Sequence, residues 1–91
     1  MYSIITTSQF EKDILLVKKQ KKNIVELANV LSILENGGKL PGKYQNHKLK
    51  NIKPETWDCH IQPDCLLLYE IDKKQKQIKL KRIGSHSELF K

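Results

Sequence analysis

The sequence predicts an α+β fold with the element order β-α-α-β-β-β. Two stretches of the first half carry apolar residues at intervals of three and four, the period of an amphipathic helix. Three shorter stretches of the second half are apolar or alternate apolar with polar residues, and turn residues separate them, which indicates strands. A chain of 91 residues has room for one such core, so we expect residues 1–91 to form a single domain.

A strand and two helices are predicted in the first 38 residues. Residues 2–7 are rich in β-branched and aromatic types, which favours a strand. Ser8 and Glu11 have the spacing of a capping box, which predicts that the first helix begins there. Asn23 offers a similar cap for the second helix, and Gly37 would end it. Two helices joined by a short connection should form a hairpin with apolar faces toward a sheet.

Three strands are predicted in the second half, after an irregular loop over residues 39–56. They cover residues 57–61, 65–71 and 77–83, and the middle one is apolar enough to lie centrally. The last strand alternates apolar with basic residues, so one of its faces should be exposed to water. Residues 86–91 should form a short terminal turn that packs back on the domain.

The charge is distributed unevenly along the chain. Seventeen Lys and Arg against ten Asp and Glu give a net charge of +7. Residues 39–91 contain eleven lysines, one arginine and six acidic residues, so they carry +6 of that total. A basic half of this kind attracts RNA or an acidic protein partner, although a solubilising lysine surface explains it equally well.

The sequence also predicts where the protein works. Its two cysteines are too few for a disulfide scaffold. The N-terminus lacks the basic and apolar regions of a signal peptide, and no apolar run approaches the roughly 20 residues of a membrane span. We therefore expect a cytoplasmic protein with reduced thiols, no membrane association and no small-molecule cofactor.

Residues suited to acid–base chemistry are concentrated in the basic half. They are three histidines and two aspartates: His47, Asp58, His60, Asp64 and His86. Imidazoles titrate near neutral pH, so a pair of them can serve as base and acid without a metal. RNA cleavage needs such a pair to deprotonate the ribose 2′-hydroxyl and to protonate the leaving 5′-oxygen. A cation must also stabilise the charged phosphorane, and Arg82 or the lysines can supply it.

Each of these residues also has a structural explanation. A single histidine is more often a surface or turn residue, and Arg82 can equally cap a strand or pair with a carboxylate. Zinc binding is the rival chemical explanation, but Cys59 and His60 are neighbours on a strand and point to opposite faces. No C-x-x-C or H-x-x-x-H pair occurs. We therefore predict no metal site, and we expect Cys59 to face the core as a small hydrophobe.

Four segments of the second half resemble the YafQ branch of the RelE-type bacterial toxins. In order along the chain they read NHKL from Asn46, DCHIQPD from Asp58, LLLY from Leu66 and RIGSHSELF from Arg82. The H-I-x-P-D and G-S-H-x-x-L-F motifs, in this order and at this spacing, are specific. The similarity spans residues 44–90, about half of the chain, while the first half agrees in element order and length.

The resemblance implies a RelE-like fold, in which two N-terminal helices pack on a twisted, mostly antiparallel four-stranded sheet. It also implies the toxin half of a type II toxin–antitoxin pair. Such a toxin is an endoribonuclease (an mRNA interferase) that enters the ribosomal A site. There it cuts mRNA by metal-independent attack of the 2′-hydroxyl, and a cognate acidic antitoxin blocks it.

The resemblance further assigns roles by position. His47 and His60 match candidates for activating the 2′-hydroxyl, and His86 matches the group that protonates the leaving oxygen. Asp58 and Asp64 match catalytic positions too. Asp64 would orient a histidine and fix its tautomer.

Substrate contacts are assigned in the same way. Arg82 matches a position used for phosphate, and Phe90 would stack on a base or shape the pocket. Where many relatives carry an aromatic-Arg pair, this chain has Thr56 and Trp57, so Lys50 or Lys53 would replace one phosphate contact. Cys65 stands where some relatives have an aromatic residue, so stacking at that point would be lost.

Two other functions fit the sequence less well. A ParE-like toxin shares the fold and inhibits DNA gyrase, but an inhibitor has no use for three histidines and two aspartates suited to acid–base chemistry. A non-catalytic RNA- or protein-binding module with a decayed site is the other alternative. Cuts within codons, loss of supercoiling, or neither would distinguish the three.

Overall fold

The computed structural model describes residues 1–22 and 24–90 and confirms the α+β class. Its helices and strands, in chain order, are β1 (Ser3–Thr6), α1 (Ser8–Lys19), α2 (Val25–Glu35), a 3₁₀ turn (Gly42–Tyr44), β2 (His47–Lys48), β3 (Thr56–Gln62), β4 (Cys65–Asp72), β5 (Gln77–Gly84) and α3 (His86–Leu89). No helix within the described ranges is long and apolar enough to cross a membrane.

The strands form one sheet in the order β1-β5-β4-β3-β2. β1 runs parallel to β5, whereas all other neighbours are antiparallel. The apolar β4 lies in the middle, as predicted. The sheet has five strands rather than the predicted four, because His47 and Lys48 pair with Asp58 and Trp57. Two residues are too few to show an alternation of apolar and polar types, so the sequence placed them in a loop.

The two long helices cover one face of the sheet. Apolar residues of both helices join a single buried cluster with strand residues, including Phe10, Val17, Val30, Cys59, Leu67, Tyr69 and Leu80. Cys59 is fully buried, which confirms its predicted place in the core. Burial raises the pKa of its thiol to about 12. Because metals and electrophiles react with the thiolate, this cysteine is suited to packing rather than to chemistry.

The start of α1 differs from the prediction. The Thr7 hydroxyl accepts a hydrogen bond from the Phe10 amide at 3.0 Å and donates one to the Lys81 carbonyl at 2.9 Å. The predicted capping box from Ser8 to Glu11 is therefore wrong by one residue. The second bond joins α1 to β5, and local sequence contains no trace of it. The predicted cap Asn23 lies outside the described residues.

Candidate active site

The catalytic candidates of β3 lie on the sheet face away from the helices. Side chains alternate between the two faces of a strand, and directly paired residues share a face. Cys59 and Leu67 are paired and belong to the core beneath the helices. Asp58 and His60 must then point to the opposite side, together with their β4 partners. We call that side the open face.

A row of four residues crosses the open face. Successive strands contribute His47, Asp58, Leu68 and Arg82, each paired with the next. The His47 Nδ1 lies 3.5 Å from the Asp58 Oδ1, longer than an ordinary hydrogen bond. That oxygen is buried and accepts no hydrogen bond within the described structure. A buried acceptor without a partner costs free energy. A hydrogen bond to Asp58 Oδ1 from a closer His47, or from a hydroxyl of a bound ligand, would remove that cost.

A second row lies two residues further along the strands. It contains His60, Leu66 and Gly84, so about 10 Å separates the backbones of His60 and Gly84 across two strand spacings. A Cβ atom on Gly84 would stand 3.0 Å from Glu88 Oε1 and 3.5 Å from Leu89 Cδ2. α3 therefore packs closely against this end of the sheet, and glycine permits the approach.

α3 is a single turn that carries the third histidine. The Ser85 hydroxyl accepts from the Glu88 amide and the Glu88 carboxylate accepts from the Ser85 amide, which is a capping box. These bonds from Ser85 hold the pKa of Glu88 below its ordinary value. Gln20, which follows the last residue of α1, also donates to Glu88, at 3.4 Å. The ring centroids of His86 and Phe90 lie 5.0 Å apart. Both residues are exposed, so a ligand can reach both rings.

Arg82 does not stand free on the open face. Its Nε and Nη2 donate to the two carboxylate oxygens of Asp13 at 2.8 and 3.2 Å. Burial alone would raise the pKa of Asp13, but hydrogen bonds from Arg82, Gln9 and the Ile83 amide, with the charge of Arg82, lower it below its ordinary 3.8. The sequence allowed Arg82 to contact phosphate, to cap a strand or to pair with a carboxylate, and the structure contains the pairing with a carboxylate. A role toward phosphate would have to use its remaining N–H groups.

This pair should make stability depend on pH. Because the folded state lowers the pKa of Asp13, the stabilisation is complete above the ordinary pKa of 3.8 and is lost as the pH falls through the folded-state value. Asp13→Asn should lower the free energy of unfolding by about 2–3 kcal/mol at pH 7. That is less than for a fully buried pair, because the Arg82 side chain is 33% exposed. Urea titrations should show this difference shrinking as the pH falls below 3.8, and a difference that is the same at pH 3 as at pH 7 would contradict this explanation.

Asp64 lies outside the strands that carry His47 and His60. It is exposed in the turn between β3 and β4, and its backbone carbonyl accepts from Lys22 Nζ at 3.2 Å. Within the part of the chain that the structure describes, no ion pair joins its carboxylate to a histidine. The carboxylate beside an imidazole is Asp58. The position of Asp64 in the motif indicates a functional residue, and its role of orienting a histidine stays a prediction.

Lys50 and Lys53 lie away from His60. Both are exposed on the loop between β2 and β3, which rejoins the sheet at Thr56. Thr56 is four residues from His60, about 13 Å along an extended strand. A phosphate bound by these lysines would therefore belong to a nucleotide some distance from the one at His60.

Two buried acidic residues were missed by the sequence reasoning. Asp13 occupies a position between Phe10 and Val17 on the apolar stripe of α1, which is a visible signal. Glu70 is 8% exposed and lies 2.9 Å from the Lys81 ammonium and 4.0 Å from that of Lys79. The lysines of β5 are thus partly neutralised by the protein itself.

Comparison with known proteins identifies the family. The profile of the family described as "Bacterial toxin of type II toxin-antitoxin system, YafQ" matches residues 2–91. The chain belongs to this family. A curated relative named "mRNA interferase toxin YafQ", from Escherichia coli (strain B / BL21-DE3), is 32% identical over 85 residues. The aligned region covers 92% of this chain and 90% of the relative. The resemblance inferred from the motifs is confirmed, and it extends into the first half.

Solved structures of YafQ-type toxins share the fold. A metal-bound toxin from Helicobacter pylori superposes with a TM-score of 0.91 at 38% identity, covering 99% of this chain and all of that one. The E. coli DinJ-YafQ complex gives 0.89 at 30% identity, with both chains fully covered. In residues 1–22 and 24–90 of the present chain, no group of three or more His, Cys, Asp or Glu is arranged to hold a metal ion.

Proposed function

We propose that this protein is the toxin of a type II toxin–antitoxin pair and that it cleaves mRNA at the ribosomal A site. The observation that supports this most strongly is the open face itself. It brings His47, Asp58 and His60 together beside the turn that leads to His86, in a family with a curated mRNA interferase. A target on the ribosome implies a cytoplasmic location, and we treat residues 1–91 as one functional domain.

The reaction follows from the chemistry of these groups. An imidazole on the sheet removes the proton of a ribose 2′-hydroxyl, and the resulting O2′ attacks the adjacent phosphorus. The bond from phosphorus to O5′ breaks, and a second imidazole gives its proton to O5′. The products are a 2′,3′-cyclic phosphate and a 5′-hydroxyl. We assign the base to His47 or His60 and the acid to His86, following the positions that these residues occupy in the family motifs.

The neighbouring residues would support that pair. Asp58 would hold the imidazole of His47 in one orientation, the role that the motif suggested for Asp64. Arg82 uses two of its five N–H groups on Asp13 and would direct others to the phosphorane. The exposed Phe90 ring would stack on a base. The sequence motifs alone support the proposed roles of Asp64 in orienting a histidine and of Lys50 or Lys53 in contacting a phosphate.

Mapping cuts on translated mRNA tests the proposal. Purified protein added to translating ribosomes should produce discrete cuts within codons, seen by primer extension, while gyrase supercoiling in a parallel assay stays normal. A chelator that binds zinc but spares magnesium should leave cleavage unchanged, because the proposed acid and base are imidazoles. Loss of supercoiling without RNA cuts would indicate a ParE-like toxin, and the absence of both effects would indicate a binding module.

We also propose an acidic antitoxin as the partner. A related toxin from E. coli forms a complex with DinJ, and residues 39–91 of this chain carry a net charge of +6. A flexible acidic segment can fold onto such a surface, and electrostatic attraction speeds its capture. The purified product of an adjacent acidic reading frame should suppress the codon cuts at about equimolar ratio. Undiminished cutting at a large excess would exclude that product as the antitoxin.

A further inference from the structure

We propose that Asp13 of α1 is a positioning residue for the cleavage site. It bonds the guanidinium of Arg82 and the backbone amide of Ile83. It thereby fixes the end of β5, from which the chain continues to His86. The inference rests on the proposed ribonuclease function and extends it to a helix outside the sheet.

The end of β5 lacks a neighbouring strand on its outer side. β1 ends at Thr6, which is paired with Leu80, so within the described residues the β1 ladder stops before Ile83. The Ile83 amide instead donates to Asp13 Oδ2 at 3.2 Å. Asp13 is 7% exposed, and its carboxylate gives the buried Ile83 amide an acceptor where the sheet provides no carbonyl. A side chain of α1 thereby takes over the role of the missing strand.

The same carboxylate orients Arg82 next to an irregular stretch of strand. Leu68 pairs with Arg82 while Tyr69 pairs with Leu80, so Lys81 is an extra residue in β5. Such a bulge changes the direction in which side chains point. The two parallel bonds from Arg82 to Asp13 set the plane of the guanidinium. Its remaining N–H groups are directed by that plane, and the side chain is 33% exposed.

The turn to α3 begins immediately after these contacts. Gly84 and Ser85 follow Ile83, and His86 is the next residue. A shift of the β5 end would therefore misplace the phosphate-binding cation and the proposed acid together. A displacement of about 1 Å can cost on the order of 10² in rate. The cost would fall on the chemical step rather than on RNA binding, because Asp13 is buried and does not itself reach a substrate.

The test is a double-mutant cycle with Arg82. Asp13→Asn keeps the size of the side chain and an oxygen for the Ile83 amide, but it removes the charge that orients the guanidinium. We expect the maximal rate of codon cutting to fall by about 10²-fold, with little change in the toxin concentration that gives half of that rate. In an Arg82→Gln background, Asp13→Asn should lower the rate by less than about threefold, because its target is absent.

Glu11→Gln is the matched control. Glu11 is exposed on the same helix, and its replacement changes the net charge equally, so the wild-type rate is expected. Thermal unfolding of each variant must show that it is folded at the assay temperature.

Three results would overturn the inference. Asp13→Asn could cut at the wild-type rate, or it could lower the rate as much in the Arg82→Gln background as in the wild type. It could also change only the toxin concentration that gives half of the maximal rate. Failure of the wild-type protein to cut RNA would instead overturn the proposed function, and this inference with it.

Discussion

Replacing His86 with alanine should lower the maximal rate of RNA cleavage by about 10²–10⁴-fold, the usual cost of losing one acid–base partner. The fold should survive, because α3 is held by the reciprocal bonds between Ser85 and Glu88 and by Gln20, none of which involves the imidazole. Single-turnover cutting of mRNA on programmed ribosomes would measure the rate. Circular dichroism and thermal unfolding would show whether the variant remains native.

Ser87→Ala provides the control for the His86 experiment. Ser87 is the next residue of the same exposed turn, and its hydroxyl lies 3.3 Å from that of Ser85, so the loss of this hydroxyl should hardly change the rate. If His86→Ala cut RNA as fast as Ser87→Ala, the acid would have to be a group other than His86.

Substituting one atom of the substrate should have a still larger effect. Once a cut has been mapped, an mRNA with 2′-deoxyribose at the nucleotide immediately 5′ to the broken bond should not be cut there at all. The proposed attacking atom is the oxygen of that 2′-hydroxyl, and hydrogen cannot replace it. Mass spectrometry of the normal product should show a 2′,3′-cyclic phosphate. The expected loss exceeds that of any single side chain, because the nucleophile itself is removed.

The matched substrate carries 2′-deoxyribose one nucleotide further upstream. It has the same number of hydroxyl groups but keeps the proposed nucleophile, so cutting should continue with at most a modest change in rate. Cleavage of the first substrate at the mapped bond, or a product with a linear 3′-phosphate formed without a cyclic intermediate, would exclude attack by the 2′-hydroxyl. Water would then have to be the nucleophile.

The proposed site depends on two parts of the fold that are held differently. His47, Asp58 and His60 are placed by strand pairing, and their relative positions follow from the register of β2 and β3. His86 stands on a four-residue helix beyond the last strand, so its position depends on contacts such as the one from Gln20, at the end of α1, to Glu88. A partner that covered or displaced that short helix would separate the proposed acid from the sheet without unfolding the domain.

The class of fold and the identity of the family were determined by the sequence alone. Apolar periods of 3.6 and 2 residues arise locally, so α1, α2 and the longer strands could be predicted from them. The same alternation placed Cys59 in the core and Asp58 and His60 on the other face. The spacing of the histidine motifs identified the family, and the match to the family assigned the candidate site residues.

Which of these residues meet was decided by the tertiary structure. The pairing of Asp58 with His47 depends on a two-residue strand too short to leave a pattern. The contact between Asp13 and Arg82 joins residues 69 positions apart. Such contacts form because a buried charge and an unpaired strand amide must find partners wherever folding brings them. That requirement is physical, but its solution depends on how α1 packs beside β5, and no local run of residues specifies this.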